Sequence, residues 1–495
     1  MSRRASRGLY GAAALIAVLA AAGFLLLRGW GSGDPPLTPA PVWSDGVRLV
    51  VGKPVQVSKA NGTLPHWECV VAADPGGPAR LLVAAIYSSE KWGKPGAAGK
   101  TVPTRGIAGY YSEDGGGTWH VAFERRGDPQ NSFIDPALAF GPDGSAQFVC
   151  MRLRTEAWEG RDVFVGDAEA GRLDFTRSPD GGKTWGPTTS VPPYIDRPWI
   201  AVDCTQGPYR GRFYCLGNFG SARELFVFPD ADTAKAPRKV SFPKKKGLPF
   251  DQSSNLVVLS DGAVVWVNDE RGGDNARRPV ATVHLSDDGG RTFADVGRVN
   301  TGWRDPRLLT TNRLFFPHLA ADALGTAYRD RLYYVWEDGG DEARVLFSSS
   351  AARGRTWTAP LVLSEQSTGV PPGQDYNAFM PCVAVNKQGA VAVSWYDRRG
   401  LPPGTSGYQV RMRVSVDGGA SWSPSVQLNE KVSKGSAGSL GDTAGLTADA
   451  AGNFHPVWID DCTGTRQVWT ATVRVKTNGG PSGAGEESAG DHSRK

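Results

Sequence analysis

An all-β propeller, a ring of seven blades each made of four antiparallel strands, is the fold this sequence predicts, and three observations predict it. Glycine (63) and proline (35) fill about a fifth of the 495 residues, against roughly 12% in an average protein. One turn-like segment recurs five times, and seven short apolar blocks recur at nearly even spacing. With 16 tryptophans and 40% hydrophobic residues, the chain is no disordered polymer. Many turns joined by short aromatic strands fit this composition, and a helical protein does not.

The recurrent turn reads SEDGGGTW at 112–119, SPDGGKTW at 178–185, SDDGGRTF at 286–293, SSAARGRTW at 349–357 and SVDGGASW at 415–422. Its serine and aspartate side chains suit hydrogen bonds inside a tight turn, its glycine suits positive φ, and its aromatic residue suits inward packing. Ala352 replaces the aspartate in the fourth copy, Phe293 the tryptophan in the third and Ser421 the threonine in the fifth.

The apolar blocks are VVAAD (70–74), ALAF (137–140), WIAVD (199–203), NLVVL (255–259), HLAAD (318–322), CVAV (382–385) and GLTAD (445–449). Aligning Val71, Leu138, Ile200, Leu256, Leu319, Val383 and Leu446 gives steps of 67, 62, 56, 63, 64 and 63 residues. That period is one four-stranded blade. Each block opens a blade as its first two strands, and the recurrent turn joins strands three and four. The third blade lacks the turn. Residues 52–59, GKPVQVSK, look like a fourth strand without a blade, whereas the seventh block stops one strand short. The N-terminal strand is therefore expected to complete the last blade and remove an open edge.

The repeated turn resembles the Asp-box of sialidase-like β-propellers, and the resemblance covers nearly the whole chain between the two termini. Sialidases proper have six blades, so six is the alternative count. The boxes are structural turns on one face. Ligands are expected on the opposite face, where first strands begin and second strands end.

Those strand ends carry Glu68, Asp135, Asp196, Arg197, Asp251, Gln252, Asp375 and Asp442 at the entries, with Arg152, Glu337, Tyr396, Arg398 and Asp460 among the exits. Polar strand ends also arise simply because they meet water. The resemblance implies an arginine clamp on a sugar carboxylate, because a planar guanidinium makes two bonds to it. It also implies a tyrosine nucleophile assisted by a glutamate, with an aspartate as acid/base. In this sequence the clamp would be Arg197, Arg152 and Arg398, the nucleophile Tyr396, its base Glu337 and the acid/base Asp196. Tyr396 and Arg398 stand two apart in a strand and would share a face. The family's Phe/Tyr-Arg-Ile-Pro signature has its nearest counterpart in Asp196-Arg197-Pro198-Trp199, in the third blade rather than the first. Trp199 and Trp395 are candidates for stacking a sugar ring. The expected function is thus an exo-sialidase-like glycoside hydrolase, or a glycosidase using two mouth carboxylates. The alternative is a non-catalytic propeller binding glycan, peptide or protein.

Other classes find little support. The net charge of +5 is dispersed, and its one basic run, Lys244 to Lys246, sits beside Pro243 without interleaved aromatics, so no nucleic-acid partner is expected. GKPGAAGKT at 93–101 has one residue too many for a phosphate-binding loop. The histidines show no metal-binding spacing, and no cofactor is expected; calcium on the acidic ring is a minor alternative. Arg3, Arg4 and Arg7 precede an uncharged apolar stretch at 8–27, long enough at about 1.5 Å per residue to span a ~30 Å hydrocarbon core. The chain then divides into a stub and signal-anchor (1–28), a linker (29–47), an extracytoplasmic propeller (48–475) and a tail (476–495), with secretion the outcome if the anchor is cleaved. Outside the cytoplasm disulfides are permitted, and Cys204 with Cys215 is the expected pair.

Overall fold

The computed structural model describes residues 38–39 and 47–477, less several internal segments of which 302–315 and 365–377 are the longest. The expected anchor at 8–27, most of the linker, the tail beyond 477 and Asp375 lie outside the described residues. Among the described residues, no helix is long and apolar enough to cross a membrane.

Seven antiparallel sheets follow one another along the chain. The first is built, in order, from His66–Ala73, Leu81–Pro95, Thr101–Ser112 and His120–Arg125. The later blades open on Asn131–Phe140, Asp196–Val202, Phe250–Ser253 with Val257–Val258, His318–Ala321, Ala378–Val385 and Gly445–Ala448. All seven openings contain or overlap the apolar blocks. Each first strand touches the next, and the seventh touches the first, so the first strands line the axis of a closed ring. Both faces of a blade are covered by neighbours. Second strands such as Leu332–Glu337 and Val391–Asp397 are accordingly buried at every residue.

The last blade takes its outer strand from the N-terminal part of the chain. Val47–Val51 pairs with Val473–Thr477, and Val55 and Gln56 pair with Thr470 and Trp469. Ser58 Oγ donates to Gln467 Oε1 at 2.6 Å, across 409 residues of sequence. The closing strand begins at Val47, earlier than the 52–59 stretch that marked it.

The recurrent turns share one hydrogen-bond circuit. Ser178 Oγ donates to Asp180 Oδ1 at 2.8 Å and accepts from the Gly182 amide at 2.8 Å. Asp180 accepts from the Thr184 amide at 2.9 Å and its hydroxyl at 2.7 Å, while Trp185 Nε1 donates to the Gly182 carbonyl at 2.9 Å. The serine–aspartate and serine–glycine bonds recur at Ser112, Ser286 and Ser415. The fourth copy keeps the serine and tryptophan bonds without an aspartate. There Arg353, with φ 55°, takes a left-handed position and ion-pairs with Asp261 and Asp287 at 2.7 Å each. Gly182 is needed twice over: its φ is 99°, and a Cβ would lie 2.3 Å from Leu82 Cδ2 of the preceding blade.

Lost hydration opposes ionisation of Asp180, but the bonds from Thr184 and Ser178 outweigh it and hold the carboxyl down at about 2. Asp180→Ala is expected to cost about 1 kcal/mol, the scale of a single net hydrogen bond, because the turn is solvent-exposed. A depressed carboxyl contributes above its unfolded value and loses that contribution as pH falls through the folded one. Urea titrations at pH 7 and pH 3 should therefore show the gap between wild type and variant narrowing at the lower pH, with closure only below about pH 2.

The expected Cys204–Cys215 bridge is absent, and both are free thiols. The antiparallel register sets Cys215 opposite Ile200, four residues before Cys204. At ~3.3 Å per residue this separates the two by roughly 13 Å along the strand direction, beyond the ~7 Å a disulfide can bridge. Cys204 Sγ instead donates to the Phe140 carbonyl at 3.4 Å, and Cys215 is buried in the core.

Candidate functional site at the propeller axis

The first strands of blades one, two, three and six each carry a bulge at the same place. Pairing register slips between Trp67 and Cys69, Ile134 and Ala137, Asp196 and Trp199, and Phe379 and Cys382. Each bulge holds one left-handed residue: Glu68 and Asp135 at φ 53°, Arg197 at 57° and Met380 at 54°. All four stand three positions before the residues that align the blocks. A left-handed residue bearing a Cβ costs about 1–2 kcal/mol, and bulges of this kind re-aim side chains beside functional sites. Here they bring charged side chains from three blades together.

Arg197 is the centre of the group. Its Nη1 lies 3.2 Å from Glu68 Oε2 and 3.6 Å from Asp135 Oδ1, and its Nη2 contacts Asp442. Its amide donates to Asp135 Oδ2 at 3.2 Å. The guanidinium also lies over the Phe316 ring, 5.2 Å from its centroid. Phe316 occupies the same position in blade five that Arg197 occupies in blade three. Five blades thus meet at one guanidinium. Gly441 makes the room: at φ 81°, a Cβ there would fall 2.0 Å from Glu68 Cγ.

Burial pushes the Glu68 carboxyl up to about 7; the Arg197 charge works against this and the Asp135 charge adds to it. Burial acts against the charge on Arg197, but Asp135, Glu68 and Asp196 together raise its pKa above the ordinary arginine value. Aromatic rings form the other wall. Trp199 packs edge-on against Phe316 at 6.0 Å and against His318 at 5.2 Å. Burial drives His318 down to about 4, so it is neutral near pH 7. Further out, Arg105 and Arg466 lie 6.0 Å and 5.5 Å from the Trp67 ring. The converging carboxylates enclose the Arg197 guanidinium.

Of the six residues singled out from the sequence, the structure brings Asp196 and Arg197 to this mouth. Arg152 turns away: its Nε ion-pairs with Asp174 at 3.1 Å and its Nη2 donates to Ser190 Oγ at 3.1 Å, both on outer strands of blade two. Arg398 lies in the loop after its strand, where Nη2 donates to the Thr405 carbonyl. The three arginines do not converge, so they form no clamp. Tyr396 is 1% exposed, stacked on Phe379 at 5.3 Å, with its hydroxyl accepting from the Ile459 amide at 2.9 Å. Burial also pushes its phenol well above 10. A nucleophile role for Tyr396 does not fit this setting. Glu337 is buried at the end of a second strand in blade five, paired with Val345, whereas Tyr396 packs within blades six and seven. Trp395 is buried and donates to Asp397 at 2.9 Å, a packing role; Trp199 keeps its place at the mouth.

The sequence places Glu68, Asp135 and Asp442 at the mouth without assigning them chemistry, and it does not reveal Phe316, Trp67, Arg105 and Arg466. One signal was available for Glu68, Asp135, Arg197 and Phe316, their common offset from the aligned block residues.

A family model described as the BNR/Asp-box repeat matches residues 110–121, which contain the first of the five turns. No curated protein matches the chain. Among solved structures, the chain is similar to a protein of unknown function from Dyadobacter fermentans, at 15% identity and a TM-score of 0.49, covering 87% of this chain and 100% of that one. It is also similar to the K499G mutant of the NanB sialidase from Streptococcus pneumoniae (10% identity, TM-score 0.44, 67% of this chain and 65% of that one). A third is the Trypanosoma rangeli sialidase, at 12% identity and a TM-score of 0.41, covering 87% of this chain and 60% of that one. The chain thus spans less than two thirds of the length of either sialidase. With the repeat matched in its first blade and its serine–glycine bond shared by the other four boxes of a closed ring of seven blades, the protein is an Asp-box β-propeller.

Proposed function

We propose that the protein is a glycan-directed propeller that works outside the cytoplasm and holds an uncharged sugar at its axial mouth. The observation that carries this reading is the enclosure of Arg197 by Glu68, Asp135 and Asp442. A guanidinium already engaged by three of the protein's own carboxylates is poorly placed to clasp the carboxylate of a sialic acid. Sugar hydroxyls, by contrast, donate to carboxylates, and the apolar face of a sugar ring suits the wall of Trp199 and Phe316. The Trypanosoma rangeli sialidase has been solved in complex with sialic acid; the sugar proposed here differs from that ligand in charge.

Hydrolysis of an uncharged glycoside is the second reading, favoured by Glu68 at about 7 beside Asp135. A carboxyl that keeps its proton near neutrality is suited to protonate a leaving group, and a neighbouring carboxylate to activate water. The test is a panel of fluorogenic glycosides, neutral sugars and a sialoside, offered to the full-length protein. Binding of a neutral member, weakened at least tenfold by Asp442→Asn, is expected. Turnover abolished by Glu68→Gln selects the hydrolase reading, and cleavage of the sialoside overturns both. The extracytoplasmic placement rests on the apolar stretch at 8–27. Alkaline washing of membranes should leave the protein in the pellet, and release to the supernatant would contradict the anchor.

A further inference from the structure

His318 stands in the aromatic wall of the axial site, at the start of the first strand of blade five and two residues beyond Phe316. Its ring meets Trp199 edge-on, at 5.2 Å and 88°. Trp199 belongs to the first strand of blade three, and blade four lies between the two. Rings from blades three and five can meet only on the axial side of blade four. The imidazole is therefore directed at the axis.

Apart from His120, on an exposed strand end, the other described histidines are each tied to an oxygen. His66 is held by the Leu64 carbonyl at 2.7 Å and the Tyr110 hydroxyl at 3.0 Å, His284 by Asp295 at 2.7 Å and His455 by Asp449 at 2.8 Å. His318 has no hydrogen-bond or ion-pair partner among the described residues. Nor is it sealed off. The residue is half-buried, and the buried polar atoms without a partner include Trp199 Nε1 beside it but neither of its own nitrogens. Both nitrogens are thus open to a group the size of water. Burial alone keeps the ring neutral near pH 7, so one nitrogen donates and the other accepts.

Trp199 Nε1 is covered and Phe316 has no polar side-chain atom, so His318 is the member of this wall that can hydrogen-bond to a ligand. We propose that His318 is a specificity-determining contact of the axial site, pairing with a hydroxyl on the edge of the sugar turned toward blade five. The inference rests on the reading of the mouth as a sugar site. It narrows the ligand to neutral sugars with hydroxyls on opposite edges, one set for Glu68, Asp135 and Asp442 and another for the imidazole. A sugar with no hydroxyl on the second edge leaves the imidazole unpaired and is rejected on that ground.

Nitrogen NMR of the full-length protein carrying 15N-labelled histidine tests it, with calorimetry alongside and the methyl α-glycosides of glucose, galactose and mannose as probes. The ring-nitrogen signals that His318→Phe removes are expected to move saturably with at least one of the sugars. That variant keeps an aromatic ring against Trp199. It should weaken the same sugar about tenfold, the scale of one hydrogen bond, with an unchanged melting temperature. His318→Asn, which restores a donor and an acceptor, should recover part of the loss. A sugar weakened by Asp442→Asn, yet indifferent to His318→Phe and without effect on the His318 signals, overturns this inference and leaves the axial sugar site standing. A sugar indifferent to both substitutions binds elsewhere and overturns both readings, as does failure of all three to bind the wild type.

Discussion

Arg197→Met is expected to destabilise the protein by about 3–5 kcal/mol, the cost of breaking a buried ion pair from one side. The Arg197 side chain is 11% exposed, and its removal leaves Glu68, Asp135 and Asp442 facing one another without a cation. Like charges at short range inside a poorly hydrated site repel strongly. The loss should be greatest at high pH and shrink on acidification, as protons replace the missing charge. Arg197→Lys should rescue only in part, since one ammonium cannot match a fork shared among three blades. Urea unfolding at pH 8 and pH 5 measures both effects. A loss below about 1 kcal/mol, the usual scale for an exposed pair, would show that water screens the cluster.

Glu68 gives the second large effect, and its sign is opposite to that of an ordinary salt-bridged carboxylate. Its carboxyl rises on folding from 4.5 to about 7, so the native state holds a proton that the unfolded chain releases. Stability from this group is complete below the unfolded value and is lost as pH climbs through about 7. Between pH 5 and pH 8 this group alone should cost the wild type on the order of 2–3 kcal/mol, at ~1.4 kcal/mol per pKa unit. The effect is read as a difference from Glu68→Gln, because His318, held at about 4, acts in the opposite sense over the same range in both proteins. Glu68→Gln has no proton to lose there, so its stability relative to the wild type should climb from pH 5 to pH 8 and overtake it at pH 8. Parallel profiles for the two proteins would mean that Glu68 is ionised throughout. The same carboxyl serves the hydrolase reading, so this profile also tests whether the mouth holds an acid at neutral pH.

The blades are legible in the sequence because their signal is periodic. A box that closes its own hydrogen bonds must keep its serine and glycines, and an apolar block that lines the axis must recur once per blade. The mouth is only half legible. Tyr396 and Arg398 look like partners on one strand face, but the strand ends at Asp397 and Arg398 opens the turn that follows, its carbonyl accepting from the Leu401 amide. More generally, every blade is covered on both sides, so alternation does not separate a core face from a solvent face. Position in sequence puts Tyr396, Glu337 and Trp395 near solvent, and packing between blades buries them. Arg197 escapes this ambiguity because a bulge, and not strand alternation, directs it. The Cys204–Cys215 bridge fails on register, which proximity in sequence does not reveal.

The closing strand carries a consequence for how the molecule is made. Val47–Val51 and Val55–Gln56 are synthesised before any blade, yet their partners, Gln467–Thr470 and Val473–Thr477, are synthesised after all of them. The ring cannot lock while the chain is still emerging from the ribosome. Contacts of such long sequence separation form late and slowly, and until they form, the first and last blades expose edges that invite aggregation. The last step of folding therefore joins segments that meet only once the final blade has been synthesised.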